Sequence, residues 1–267
     1  VGVWTNLSPD HLDWHPGVDH YIASKARLWA NQTDADVAVV NAEDPVVMQA
    51  STGIAARRVT FGISTGDARV VDRHLRGPQH EDLGSVEAMA RPFPHELANG
   101  LAAACAALAV GVDADVCASV LRDFRGLPHR IQLVGHIGGV PCFDDSKATT
   151  PASVVTALAA FPSAVLIAGG KNKGLDLSVL AGAAEHVRAV VAIGTAADEV
   201  ADAFEGVRPV RRATSMDDAV ALAVEEAQPG DAVLLSPACT SWDAYRDYAE
   251  RGDDFARAVR EFAGATS

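Results

Sequence analysis

Residues 164–174 read AVLIAGGKNKG, an apolar run followed by a glycine-rich turn that carries two lysines. An uncharged run of this length predicts a buried strand of a parallel sheet, and the glycines predict where the strand ends. Similar apolar runs recur on both sides of it, at residues 131–135, 140–143, 189–193 and 232–235. Helix-like segments separate them, at residues 151–161, 177–185, 196–204, 215–227 and 242–262. This alternation predicts a doubly wound α/β domain with a mainly parallel sheet.

The preceding part of the chain also alternates strands with helices. Predicted strands lie at residues 1–5, 36–41, 58–63 and 68–71. Predicted helices lie at residues 18–30, 44–50, 94–110 and 113–124. Asp113 is expected to cap the last helix, and the polar stretch at residues 73–91 predicts a loop or a weak hairpin. The RGLP segment at residues 125–128 stops the helix and predicts a boundary between two domains, residues 1–126 and 127–267.

Composition and charge narrow the class of protein. The 267 residues include 22 Lys and Arg against 35 Asp and Glu, a formal charge of -13, whereas nucleic-acid binders usually carry a basic domain. The longest apolar stretch, residues 101–112, is too short to span a bilayer, and the first residues do not resemble a secretory signal. The four cysteines are scattered, which favours reduced, buried thiols. We therefore expect a cytoplasmic protein with no membrane span and no nucleic-acid partner.

Polar residues follow three predicted strands of the second domain, where open α/β sheets bind ligands. The first loop, DDSKATTP at residues 144–151, could bind an anion through Lys147, its Ser and Thr hydroxyls and the start of the next helix. In the same loop, Asp145 could hold ribose hydroxyls. An ordinary β–α loop is the alternative. The GGKNKG turn at residues 169–174 is not a Walker A loop, and it could equally be a solvated basic turn. In the third loop, SPACTSW at residues 236–242, hydroxyls and a helix start could bind a carboxylate.

Single residues offer weaker catalytic candidates. Cys239 could act as a nucleophile, but no His lies near it in the sequence, so a packed, inert thiol is favoured. In the first domain, Asp10 and His11 follow a strand and Lys25 lies on the next helix. A His and a carboxylate can ligate a divalent metal, and a carbamylated Lys presents carboxylate oxygens. A merely solvated Lys25 is the alternative.

Five motifs, taken in order, resemble the Mur ligase family. They are NLSPDHLD at residues 6–13, SKARLW at 24–29, GLPHR at 126–130, DSKAT at 145–149 and LSPACTS at 235–241. The resemblance covers almost the whole chain. It implies that residues 1–126 are the C-terminal part of the family's central, ATP-binding domain and that residues 127–267 are its Rossmann-like C-terminal domain. It further implies a uridine-nucleotide domain and an ATP P-loop upstream of Val1, so we expect a cut end there and no activity from the chain alone.

Within the family, the chain is most similar to members that add D-glutamate to UDP-N-acetylmuramoyl-L-alanine. This likeness rests on the GGKNKG turn, the LSPAC segment and ERGDDF at residues 250–255. It implies a monomeric, cytoplasmic enzyme of peptidoglycan precursor synthesis. No D-N-P-R-type motif is found, which argues against diaminopimelate or lysine as the added residue, while L-alanine or a dipeptide stays open.

Two other classes of function were weighed against a ligase. A non-catalytic nucleotide or amino-acid binding module derived from a Mur ligase would share every motif from Gly126 onward, so those motifs do not exclude it. A generic Rossmann-like oxidoreductase is disfavoured, because no G-x-G-x-x-G follows a predicted strand.

The family reaction forms an amide, and the resemblance assigns catalytic residues to it. ATP phosphorylates the substrate carboxylate, and an amino-acid amine attacks the acyl phosphate while Mg2+ and cations neutralise the phosphoryl oxygens. By resemblance, His11 would ligate magnesium and Lys25, as a carbamate, would organise the same metal and the acyl phosphate. Lys147 would face the reacting phosphate and the muramoyl substrate.

The resemblance also assigns the binding residues. The nucleotide would be contacted by Asn99 at the adenine, Arg130 at the phosphates or ribose, and Asp145 at the ribose hydroxyls. D-Glutamate would be contacted by Thr149, Lys173, Ser241, Trp242 and Tyr248, with Lys173 pairing with a carboxylate. Glu96 and Thr150 stand where the family often has Asn, so neither is assigned a contact.

Overall fold

The computed structural model describes residues 1–9 and 14–265, and the chain forms two compact units. The first unit is Val1–Arg125 and the second is Gly126–Ser267. The first unit has two sheets and the second has one, and each unit buries its own apolar side chains.

The first unit is built on a parallel sheet of three strands, β1 (Gly2–Trp4), β2 (Val37–Asn41) and β3 (Arg57–Phe61). Helix α1 (Val18–Ala26) continues into a 3₁₀ turn, Arg27–Trp29, and connects β1 to β2. Helix α2 (Pro45–Ala50) begins because the Asp44 side chain accepts hydrogen bonds from the Val46 and Val47 N–H groups at 2.9 and 3.0 Å.

The polar stretch at residues 73–91 contributes to a small antiparallel sheet. Its strands are β4 (Arg69–Val71), β5 (His74–Arg76) and β6 (Asp82–Ser85). Two helices follow, α3 (Pro94–Ala109) and α4 (Ala114–Asp123). Asp113 does precede α4, but its side chain makes no capping hydrogen bond, so the predicted cap is wrong.

The second unit is a six-stranded sheet in the order β11-β10-β9-β12-β8-β7. Its strands are β7 (Gln132–Ile137), β8 (Val140–Asp144), β9 (Ala164–Gly169), β10 (Val187–Ile193), β11 (Val210–Arg212) and β12 (Ala232–Ala238). Only β7 pairs antiparallel, as a hairpin with β8. The predicted α/β class with a mainly parallel sheet is confirmed.

Helices cover this sheet with apolar side chains. They are α5 (Pro151–Leu158), α6 (Ala197–Ala203), α7 (Met216–Glu226) and α8 (Tyr248–Ala265). Side chains of α7 and α8 such as Val220 and Phe255 pack with strand residues such as Ile167 and Leu235. The helix-like segment predicted at residues 177–185 is a 3₁₀ segment, Leu177–His186, with a non-helical Ala183.

Helix α8 begins six residues later than predicted from residues 242–262. The carbonyl of Ser241 accepts hydrogen bonds from the N–H groups of Ala244 and Tyr245, which closes a separate turn. The Asp247 side chain then accepts the Glu250 N–H at 2.9 Å and starts the helix.

Candidate functional site

Three loops meet at the carboxyl edge of the six-stranded sheet. The loop after β8 is tied to β12, because Asp145 N–H donates to Leu235 O at 2.8 Å and Ala238 N–H donates to Ala148 O at 3.0 Å. The loop after β9 is tied to the loop after β12 by two backbone hydrogen bonds between Lys171 and Thr240. The three polar segments singled out in the sequence therefore belong to one site, the carboxyl-edge site.

Asp145 is a buried carboxylate in this site, only 6% exposed. It accepts a hydrogen bond from Ser236 Oγ at 2.7 Å and another from Ile131 N–H at 3.3 Å. Burial, the largest cause, raises the pKa of Asp145 to about 7. A carboxylate oxygen can accept more than one hydrogen bond, so the predicted ribose contact stays a prediction that would add to these two bonds.

Arg130 is presented by an unusual stretch of backbone. His129 and Ile131, on either side of it, have φ angles of 58° and 45°, which non-glycine residues seldom adopt. His129 is held by Asp144, with Nδ1 2.6 Å from the buried carboxylate, and its carbonyl accepts the Lys147 N–H at 3.1 Å. These contacts fix the backbone and leave Arg130 exposed at the sheet edge.

Lys147 and Tyr248, assigned to different substrates by resemblance, touch each other. The Lys147 Nζ lies 3.6 Å from the centroid of the Tyr248 ring, a close cation–π contact. The His129 and Tyr248 rings also meet in an edge-to-face arrangement, with the centroids 5.9 Å apart. Because the Tyr248 carbonyl accepts a hydrogen bond from Ser146 Oγ at 2.7 Å, the start of α8 is fastened to the loop that carries Lys147.

The remaining substrate candidates differ in their exposure. Lys173 is exposed in the turn after β9, and Thr149 is half-buried just before α5. Trp242 is 67% exposed, whereas Ser241 is 2% exposed. The structure thus brings these residues to one edge of the sheet, and their individual contacts with a ligand stay predictions.

Arg251 is a residue of the site to which no sequence motif assigns a role. It is 2% exposed, and its guanidinium donates to Ser146 Oγ, Ser146 O and Cys239 O at 2.9 to 3.1 Å. Burial lowers its pKa to about 10. It joins α8 to two of the three loops. The ERGDDF segment could have indicated this packing, because a glycine after Arg251 inside a predicted helix indicates the close approach of another group.

Cys239 does not have the properties of a nucleophile. It is 1% exposed, and burial raises the pKa of its thiol to about 12. A thiol in this environment stays protonated and unreactive. The prediction of a packed Cys239 is confirmed.

The first unit contains a separate candidate site around Lys25. An open depression of about 470 Å³ is lined by Val3, Trp4, Thr5, Asn6, Ser24, Lys25 and Leu28. The Lys25 ammonium is exposed and lies 5.2 Å from the centroid of the Tyr21 ring. His11, the predicted magnesium ligand, lies outside the described residues. Asn99 is exposed on α3.

The described residues provide no ready metal site. Within residues 1–9 and 14–265, no group of three His, Cys, Asp or Glu side chains could hold a metal ion. Asp10 and His11, the predicted donors near Lys25, lie outside these ranges.

The fold and the carboxyl-edge site define an α/β protein with a mainly parallel sheet and three polar loops at its carboxyl edge. Comparison with protein families is more specific: residues 1–107 match the Mur ligase middle domain, and residues 129–239 match the glutamate ligase domain of Mur ligases. The chain belongs to the Mur ligase family.

Individual relatives refine this likeness. The chain is 40% identical to UDP-N-acetylmuramoylalanine–D-glutamate ligase of Syntrophotalea carbinolica over 98% of this chain and 60% of the relative. It is 43% identical to the enzyme of the same name in Frankia casuarinae, over 97% of this chain and 57% of that one. The fold is similar to a crystal structure of MurF from Acinetobacter baumannii, with a TM-score of 0.71 at 18% identity, covering 97% of this chain and 59% of that one.

The chain spans about 60% of the length of these curated relatives. Among the helices of the described residues, none is both long and apolar enough to cross a membrane.

Proposed function

We propose that this chain forms part of an ATP-dependent amide-bond ligase that adds D-glutamate to UDP-N-acetylmuramoyl-L-alanine, in the cytoplasm, during peptidoglycan precursor synthesis. One observation carries the proposal: hydrogen bonds between the three loops gather Lys147, Thr149 and Lys173 at one sheet edge. The relatives at about 40% identity support D-glutamate as the added amino acid. In this proposal residues 1–126 belong to the central domain and residues 127–267 to the C-terminal domain.

The carboxyl-edge site suits a nucleotide and an acyl phosphate. ATP, when bound, supplies the phosphoryl group that activates the carboxylate of the muramoyl substrate. Arg130 offers an exposed guanidinium to the nucleotide phosphates, and Asp145 offers carboxylate oxygens to the ribose. Lys147, oriented by the Tyr248 ring, neutralises charge on the phosphoryl oxygens as the amide forms. Asn99 would lie against the adenine.

The same edge would hold the incoming amino acid. Lys173 pairs with a carboxylate of D-glutamate, while Thr149, Ser241 and the backbone beside Trp242 donate hydrogen bonds to the rest of the molecule. Tyr248 lies beside Lys147 and thereby connects the amino-acid side of the site to the phosphate side. Fixing the amine close to the acyl phosphate converts a bimolecular reaction into an effectively unimolecular one.

The role of Lys173 is tested by steady-state kinetics of the native polypeptide that contains this sequence. Lys173→Ala should raise the KM for D-glutamate at least about tenfold, because one charge-assisted hydrogen bond is lost, and leave the KM for ATP unchanged. Lys171→Ala removes the neighbouring exposed lysine of the same turn and is the matched control. An unchanged KM for D-glutamate in the Lys173 variant would refute the assignment. Binding of D-glutamate without product formation would favour a binding module.

Lys25 is proposed to act as a carbamate in the depression of the first unit. Lys25→Ala should lose nearly all ligase activity, because the carbamate oxygens that organise the phosphoryl transfer are removed. Arg27→Ala, an exposed cation two residues further along, should keep its activity. Full activity of the Lys25 variant without added carboxylate would contradict the carbamate.

A further inference from the structure

The turn that carries Lys173 is closed by the side chain of Asn172. Its Oδ1 accepts the Leu175 N–H at 3.0 Å, and its Nδ2 donates to the Leu175 carbonyl at 2.9 Å. Lys173 and Gly174 lie between these two residues, and Gly174 has a φ of 80° that suits the apex of a tight turn. The other end of the turn is fixed by the backbone pairing of Lys171 with Thr240. Lys173 is therefore held at the tip of a turn that is fastened at both ends.

Glu199, on helix α6, completes the hydrogen bonding of this amide. Its Oε2 accepts a hydrogen bond from Asn172 Nδ2 at 2.6 Å. The two hydrogens of Nδ2 are thereby both used, and the orientation of the Asn172 side chain is determined. The residue just before α6 is hydrogen-bonded to the residue just before the Lys171 pairing, since the Gly170 carbonyl accepts the Ala196 N–H at 2.8 Å. Glu199 is thus fixed relative to the strand from which the turn leaves.

We propose that Asn172 and Glu199 are positioning residues for Lys173. Asn172 stabilises the turn by its two hydrogen bonds with Leu175, and Glu199 fixes the orientation of the Asn172 amide. Together they set the affinity for the carboxylate of the amino acid. The last part rests on the proposed function. Neither side chain needs to touch the ligand, since both act by keeping Lys173 in place before the ligand binds.

The charge of Glu199 and its hydrogen bond act in opposite directions on an anionic ligand. The carboxylate lies close to the turn and repels a second carboxylate bound by Lys173. Its hydrogen bond, in contrast, orders the turn and favours binding. Glu199→Gln keeps an acceptor and removes the charge, whereas Glu199→Ala removes both. A role in positioning therefore predicts different results for the two variants.

The first experiment measures the kinetics of the native polypeptide that contains this sequence. Glu199→Ala and Asn172→Ala should raise the KM for D-glutamate about fivefold, with kcat and the KM for ATP changed less than about twofold. Glu199→Gln should match or improve on the wild-type KM. Asp198→Ala is the matched control, because Asp198 precedes Glu199 on the same helix and pairs with Arg212 instead.

The second experiment reports on the turn without any ligand. Trypsin cleaves after lysine, and an ordered turn resists cleavage, so Glu199→Ala should be cut after Lys173 about fivefold faster than wild type under native conditions. Glu199→Gln and Asp198→Ala should be cut at the wild-type rate.

The two readouts together decide the inference. Unchanged cleavage in Glu199→Ala overturns it. Where Lys173→Ala raises the KM for D-glutamate, faster cleavage of Glu199→Ala with an unchanged KM for D-glutamate also overturns it. If Lys173→Ala does not affect D-glutamate, the proposed function of Lys173 fails, while faster cleavage still supports the bracing of the turn by Glu199. Equal loss of affinity for all substrates would indicate general destabilisation and overturn the specific role.

Discussion

Asp145 shows how burial changes the chemistry of a single residue. Its pKa is raised from 3.8 to about 7, mainly by burial and against the hydrogen bonds that favour ionisation. In the unfolded chain the carboxyl loses its proton near its ordinary pKa, whereas in the folded chain it keeps the proton up to about pH 7. The stability that the protonated group contributes is therefore complete below about pH 4 and is lost as the pH rises to about 7.

This loss can be measured with Asp145→Asn, which does not titrate. The free energy of unfolding of wild type minus that of the variant should fall between about pH 4 and about pH 7 and stay constant above. Urea unfolding at a series of pH values measures this difference.

Asp176→Asn should show the opposite sign. A hydrogen bond from Ser178 lowers the pKa of Asp176, so the stability that Asp176 contributes is lost only as the pH falls below about 4. A pH-independent difference for Asp145 would contradict the raised pKa.

Helix α8 depends on a glycine at the point where it crosses the site. A Cβ at Gly252 would stand closer to the His129 ring and the Asp144 carboxylate than real Cβ atoms do. Gly252→Ala should therefore lower the free energy of unfolding by about 1–3 kcal/mol, the usual cost of overpacking, and disturb the His129–Asp144 pair. Urea unfolding provides the measurement.

Gly264 on the same helix is the matched control, because nothing lies within 4 Å of a Cβ built there. Gly264→Ala should leave the stability unchanged or slightly higher, since Ala has the greater helix propensity. If both variants behave alike, the close approach at Gly252 is not what the helix requires.

At the level of the whole molecule, the α/β alternation was readable from the sequence because continuous apolar runs alternate with longer segments of helical spacing. The principle that ligands bind at the carboxyl edge also singled out the three polar loops of residues 144–151, 169–174 and 236–242. The hydrogen bonds that join them into one site come from the structure. Short elements were harder to predict. Strand β11 has only three residues, two of them Arg, and so has no apolar signal, while a 3₁₀ helix and an α-helix share similar apolar spacing.

The contacts that complete the site were not readable from any local pattern. Arg251 and Ser146 are 105 residues apart in sequence, and Asn172 and Glu199 are 27 apart. Such pairs depend on how the helices return to the sheet, which periodicity does not encode. The residues of the second unit that the family resemblance named lie at this edge, and their roles toward substrates stay predictions.

The backbone pairing of Lys171 with Thr240 is an antiparallel bridge between the two loops that follow the parallel strands β9 and β12. Two loops that are far apart in sequence are thereby built as one piece. An exchange of amino-acid preference with a relative therefore requires both segments to be transplanted as a matched set. A graft of either segment alone would disturb the Lys171–Thr240 pairing and thereby displace the other loop.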